Sequence, residues 1–287
     1  MSAGTGAPAD TPLPARNILA GIEMVGIDID GTLLDASHHV RPEVAAAFAA
    51  ARAARLLLVL ASARSPTALA SVLADLGHSG PAICFSGAWT GEIGAAGPLG
   101  TTAELTLPLA TAGAIATAAT AAGIVPSWHT AGTWAVTAMG PTVEREMAVT
   151  HEEPLVSADL AALGAPSKIL LIGPRPTLLA LRAALLPAHG AAFNAVFSHD
   201  TYLEFLPKRA DKGTALLALA AGRGLSSTQV AAVGDGENDL GMIRAAGLGV
   251  AMGNAIPQVH EAAAWRVASN EHAGVAELIN AVLWARG

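Results

Sequence analysis

Apolar residues in this chain gather into short unbroken runs rather than into alternating or heptad patterns. Positions 24–29, 56–61 and 81–85 are such runs in the first third, and 230–233 is another near the end. Runs of this length predict strands buried on both faces, as in a parallel sheet covered by helices. Alanine-rich stretches lie between them. Positions 42–55 predict a helix with Pro42 at its first turn, and Ser65-Pro66 caps a second that stops at Gly77. Strand, helix, strand, helix, strand predicts a parallel sheet wound with right-handed crossovers.

After Ser86-Gly87 the texture changes. Positions 90–93 and 102–107 predict a hairpin, 109–122 a helix, 132–139 and 168–172 strands, 143–149 and 177–186 helices, and 192–198 another strand. The strand–helix rhythm resumes from about 203: a helix over 211–224, the strand at 230–233, a helix over 238–246, then strands at Val250 and Val267 and a helix over 272–285. The expected class is α/β: a Rossmann-like, doubly wound parallel sheet core with an inserted α+β cap domain. We place the core at 18–86 and 203–287, the cap at 87–202, and a disordered Ala/Gly/Pro/Thr tail at 1–17.

The first strand ends in Asp28-Ile29-Asp30-Gly31-Thr32. Side chains alternate along a strand, so the two carboxylates start on the same side, and Gly31 lets the backbone bend close to what they hold. A second acidic cluster, Gly234-Asp235-Gly236-Glu237-Asn238-Asp239, again follows a short apolar run. In wound sheets ligands bind beyond the carboxyl ends of the strands, where Asp28, Ser62 and Asp235 all fall. Two such ends read as one site assembled from distant segments.

These residues resemble the haloacid dehalogenase superfamily of phosphohydrolases. Leu60-Ala61-Ser62-Ala63-Arg64 is similar to that family's second motif, Lys212 in Asp211-Lys212-Gly213 to its third, and the 234–239 cluster to its fourth. The run 249–255, with Ser269-Asn270 and Gly274-Val275-Ala276, is similar to the Cof-like branch. The long insertion lies between the second and third motifs, as in type II caps, and the Cof-like resemblance implies the subclass B form. The resemblance implies Asp28 as nucleophile forming an aspartyl-phosphate and Asp30 as general acid and base. It implies Mg²⁺ held by Asp28, Asp30 through its backbone carbonyl, and Asp235, with Asp239 in support. Ser62, the Ala63 amide, Lys212 and Asn238 would bind the substrate phosphate, and Arg64 would orient Ser62 or the aspartates or form a surface salt bridge. Ser62 stands where threonine is common, and Ser86-Gly87 replaces the usual Asn-Gly at the cap entrance.

The expected activity is hydrolysis of a small phosphomonoester. A hexose-phosphate mutase of the same cap class and a non-catalytic ligand-binding module are the alternatives. Trp89, Trp128, His129, Trp134, Glu144 and Arg145 are candidates to face the site, although a strand tryptophan is more often core. His38, His39 and His151-Glu152-Glu153 read as solvated loops. Between Ala88 and Asp200 the cations besides histidine are Arg145, Lys168, Arg175 and Arg182. That scarcity predicts a substrate with a neutral body, such as a sugar phosphate, rather than a bisphosphate.

Composition narrows the setting. Hydrophobic residues make up 52% and charged residues 14% of 287, enough for a large core. A formal net charge of -7 argues against a nucleic-acid partner. The lone Cys84 fits a core position in a reducing cytoplasm. The uncharged stretch 105–127 is mostly Ala, Thr and Gly and predicts no membrane span. The expected state is a monomer or homodimer.

Overall fold

Met24–Asp28 (β1) is buried at all five residues, as an apolar run between two neighbouring strands requires. The computed structural model, which describes residues 12–287, builds outward from it. Before β1, Arg16–Ala20 (α1) packs on the C-terminal helix through the buried Leu19. Positions 16 and 17 of the expected tail belong to this helix; residues 1–11 of that expected tail lie outside the described residues.

After β1 come Pro42–Ala53 (α2), Leu57–Ala61 (β2), Pro66–Asp75 (α3) and Gly80–Cys84 (β3), the strands all parallel. The Ser65 hydroxyl accepts the Ala68 amide at 2.9 Å and so caps α3. Trp89–Gly94 (β4) and Gly97–Glu104 (β5) then run antiparallel along the β3 edge. This corrects the sequence reading, which assigned the hairpin to the inserted segment. Its strands complete the β3 edge instead, and Trp89 is buried on this sheet, its indole N–H donating to Thr101 Oγ1 at 3.1 Å.

The insertion contains Leu109–Ala121 (α4), Ser127–His129 (β6), Trp134–Val136 (β7), Pro141–Thr150 (α5), Leu155–Val156 (β8), Lys168–Ile172 (β9), Arg175–His189 (α6), Phe193–His199 (β10) and Tyr202–Pro207 (β11). Six of these form a second sheet in the order β10-β11-β9-β6-β7-β8. Residues from about 203 were expected in the returning core, but β11, a strand not expected there, pairs with β9 and β10. The three-residue strand β6 was not expected.

Lys212–Ala221 (α7), Val230–Gly234 (β12), Leu240–Ala245 (α8), Leu248–Ala251 (β13), Pro257–Ala262 (α9), Trp265–Arg266 (β14) and Gly274–Arg286 (α10) complete the first sheet and its covering helices. Its order is β14-β13-β12-β1-β2-β3-β4-β5. Register decides what meets at its end. Asp28 pairs with Ala61 and Ile27 with Val233, so the residues that follow these three strands emerge side by side. No helix among the described residues is long and apolar enough to cross a membrane.

Candidate active site

Lys212 is the first residue of α7, whose N-cap Asp211 accepts the Thr214 amide at 2.7 Å. That cap turns the lysine inward. Its Nζ donates to Asp28 Oδ1 at 2.6 Å and to Asp239 Oδ1 at 2.7 Å, and the ammonium is fully enclosed. A buried ammonium is costly unless paired, and here two carboxylates share it. Burial alone would lower the lysine pKa, but Asp239 and Asp28 more than offset it and the pKa is raised. Burial, then Asp239, push the Asp28 carboxyl up while Lys212 pulls it down. These effects pull the pair in opposite directions, and the 2.6 Å contact favours the ionised form.

Asp28, Asp235 and Asp239 each offer a carboxylate oxygen within 4.8 Å of the others. Asp239 is heavily engaged, because its Oδ2 accepts the Asp235 and Gly236 amides at 3.0 Å each. It acts as the brace of the turn. Asp235 Oδ1 accepts the Thr32 hydroxyl at 2.7 Å, which joins the two acidic segments directly. Burial raises the Asp235 pKa to about 6 against the opposing Thr32 hydrogen bond, with Asp239 adding to the rise. Gly31 has a φ of +84°, and a Cβ there would run into the Asp235 carboxylate. Only glycine allows that approach.

Asp30 lies apart from the trio in this conformation. Arg64 donates to it through Nε at 3.0 Å to Oδ2 and Nη2 at 2.6 Å to Oδ1, and His38 Nδ1 is 3.9 Å from Oδ1. Of the two roles left open for Arg64, the structure displays a pairing with Asp30. Ser62 is buried and its hydroxyl accepts the Arg64 amide at 3.0 Å. Asn238 is exposed on the turn beside Asp239, and no contact draws it into the cluster. Ser86-Gly87 lies in the turn between β3 and β4. Phe85, Ser86 and Gly87 all have positive φ, and the Phe85 and Ser86 amides donate to the Arg64 and Ser62 carbonyls at 3.0 and 2.9 Å. This turn therefore pins the Ser62–Arg64 loop.

The second sheet reaches the same loop. Lys168 Nζ donates to the Ala63 carbonyl at 2.8 Å, and Ser65 donates to Glu152 Oε1 at 2.7 Å. Sequence reasoning missed both contacts. Glu152 was expected in a solvated loop, yet its burial raises its pKa despite the Ser65 hydrogen bond. Of the other candidates, Trp89 and Trp128 are core, Glu144 and Arg145 are exposed on α5, and His129 and Trp134 are buried. His39 is exposed.

A family model for the haloacid dehalogenase-like hydrolases matches residues 25–279. A Streptococcus pyogenes protein provisionally named a phosphatase is 29% identical over 280 residues, covering 90% of this chain and 97% of that one. The HMP-PP phosphatase of Citrobacter koseri is 42% identical over 93 residues, covering 32% of this chain and 34% of that one. A haloacid dehalogenase-like hydrolase from Bacteroides thetaiotaomicron superposes with a TM-score of 0.83 at 25% identity, covering 90% of this chain and 98% of that one. With Asp28 and Asp235 in place at strand ends and Lys212 at the start of α7, the chain belongs to the haloacid dehalogenase-like hydrolases.

Proposed function

We propose that this protein is a Mg²⁺-dependent phosphatase that hydrolyses a small phosphomonoester through a phosphoryl-aspartate on Asp28. The observation that carries this reading is the enclosed Lys212 ammonium held between Asp28 and Asp239 beside Asp235. Such a cluster joins a nucleophile to positive charge where a transferring phosphoryl group needs both. The relatives named as phosphatases support it.

The donor set fits a hard divalent cation, since carboxylate oxygens converge within 4.8 Å and one lysine leaves three carboxylates short of neutrality. Asp28, Asp235 and the Asp30 carbonyl would hold Mg²⁺, which would offset the repulsion between substrate phosphate and carboxylates. Asp28 then attacks phosphorus in line. Asp30, oriented by Arg64, protonates the leaving oxygen and later takes a proton from the attacking water. Ser62, the Ala63 amide and Lys212 hold the phosphoryl oxygens, with Asn238 moving toward them on binding. We assign residues 106–207 to the cap and the β4–β5 hairpin to the core.

A mutase must grip a second phosphate, and three of the insertion's four Lys and Arg side chains are already engaged. Arg175 pairs with Asp200 at 2.9 Å and lies over Phe197, Arg182 also lies over Phe197, and Lys168 is bound to Ala63. The test is phosphate release across sugar, nucleotide and vitamin monophosphates, each with Mg²⁺ and with chelator. Mg²⁺-dependent release from a monoester supports the reading, and its absence across the panel favours a binding module.

A further inference from the structure

Gly253-Asn254 after β13 and Asn270 before α10 belong to sequence motifs that the chemistry assigned above leaves without a role. Gly234 pairs with Ala251 across β12 and β13, so the loop after β13 emerges beside the turn that carries Asp235. Its backbone grips that turn. The Met252 amide donates to the Gly234 carbonyl at 3.1 Å and the Ile256 amide to the Asp235 carbonyl at 3.0 Å. A Cβ at Gly253 would come within 2.8 Å of the Ser269 nitrogen, closer than side chains tolerate. The bare glycine lets the two loops touch, and the Asn270 amide then donates to Asn254 Oδ1 at 3.0 Å.

From there the asparagines reach the other acidic segment, more than 200 residues away in sequence. Asn254 Nδ2 donates to the Gly31 carbonyl at 2.7 Å, and Asn270 Nδ2 donates to the Leu34 carbonyl at 2.9 Å. Next to them, Glu271 Oε1 accepts the Ala36 amide at 2.7 Å. Inside this segment the Thr32, Leu33 and Leu34 amides converge on the Ile29 carbonyl at 3.0 to 3.3 Å. The turn after Asp30 thus closes on itself and is clamped from outside. Asn254 is exposed, so water could satisfy the same backbone groups. What the side-chain amide adds is a fixed position.

We propose that Asn254 and Asn270 are positioning residues for phosphoryl transfer, which clamp the turn after Asp30 onto the turn that carries Asp235. The inference rests on the phosphatase reading and adds to it a role for residues outside the acidic cluster. Gly31 is where the clamp acts. Its Cα faces the Asp235 carboxylate, its φ is +84°, and its carbonyl is held by Asn254. Releasing that carbonyl frees the most permissive kind of residue to turn, and Asp30, its immediate neighbour, loses its fixed place relative to Asp28. Both asparagines act on the Asp30 turn rather than on Ser62, the Ala63 amide or Lys212. Their loss therefore falls on kcat and spares KM.

The test compares the wild type with Asn254→Ala, Asn254→Asp and Asn270→Ala. Three quantities are read: kcat and KM with Mg²⁺ for the best monoester of the panel above, hydrogen–deuterium exchange over residues 31–36 of the metal-free protein, and melting temperature. In Asn254→Ala and Asn270→Ala, kcat is expected to fall by about 10- to 100-fold with KM within about twofold of wild type. Exchange over 31–36 should quicken while the melting temperature stays close to wild type. Asn254→Asp keeps the acceptor for the Asn270 amide and removes the donor to Gly31, so it should match Asn254→Ala. Asn280→Ala, exposed on α10, is the control in which all three quantities stay put. A kcat within about twofold of wild type in both Asn254 variants overturns the clamp. So does a fall in kcat without faster exchange over 31–36, an Asn254→Asp protein that works at the wild-type rate, or exchange that quickens throughout the chain, which marks a general loss of stability. Those results leave the phosphatase reading standing. A wild type that hydrolyses no monoester with Mg²⁺ sinks that reading, and the positioning role with it.

Discussion

Arg64 grips both carboxylate oxygens of Asp30, at 3.0 Å through Nε and 2.6 Å through Nη2, while its own amide donates to the Ser62 hydroxyl. One residue thus links the proposed acid/base group to the proposed phosphate-binding loop. The Asp30 side chain is 47% exposed, so the pair contributes little to stability, about 0–1 kcal/mol. Its role is positional. Arg64→Gln should lower kcat by about 10- to 100-fold with little change in melting temperature. Steady-state kinetics beside thermal melting checks this, and an unchanged kcat would reduce the contact to a surface ion pair.

Lys212 is different because it is buried. Lys212→Met leaves Asp28 and Asp239 facing each other without their shared cation. Breaking such an arrangement costs about 3–5 kcal/mol, and the loss of a charge at the phosphoryl group should cost at least about 100-fold in rate. Urea denaturation without metal reads the first and phosphate release the second. Added Mg²⁺ should restore part of the stability but not the rate.

The Asp235 pKa, raised to about 6 chiefly by burial, gives stability a definite slope with pH. A raised folded-state pKa means that the native protein holds this proton more tightly than the unfolded chain does. The contribution is therefore fully present below the ordinary 3.8 and is lost as pH rises through about 6. Its ceiling is on the order of 3 kcal/mol. A bound divalent cation favours the ionised carboxylate and should reverse the trend, so the rise in melting temperature on adding Mg²⁺ should be larger at about pH 7 than at about pH 5. Differential scanning fluorimetry at the two pH values measures it, and an equal rise at both would remove Asp235 from the metal site.

Gly31→Ala separates local shape from charge. The φ of +84° disfavours alanine by about 1–2 kcal/mol, and the new Cβ meets the Asp235 carboxylate. The variant should fold and lose most of its Mg²⁺-dependent stabilisation. Isothermal titration with Mg²⁺ tests this. Retained affinity would mean that Asp235 lies outside the cation site.

The acidic site was legible because register did the assembling. Apolar runs at the three strands fixed their place in a parallel sheet, so the carboxylates and hydroxyl that end them had to meet. Asp28, Asp235 and Lys212 accordingly come together, and Asp30 through its side chain does not, because Arg64 holds it. The insertion was harder to read. The strand Ser127–His129 was not expected, and the residues from about 203 were assigned to the returning core because an apolar stretch carries no mark of which sheet it joins. The hairpin over Trp89–Glu104 misled for the same reason. Lys168 was read only as one of the insertion's four cations and Glu152 as a loop acid, since only tertiary packing brings them to Ala63 and Ser65.

The measurement that bears most directly on the account is phosphate release with Mg²⁺ by the wild type and by Asp28→Asn, coupled to acid quench and peptide mass spectrometry during turnover. The wild type should release phosphate and carry a phosphoryl group on the peptide containing Asp28, and the variant, although folded, should do neither. A folded Asp28→Asn protein that still hydrolyses the same monoester at the wild-type rate would contradict the account.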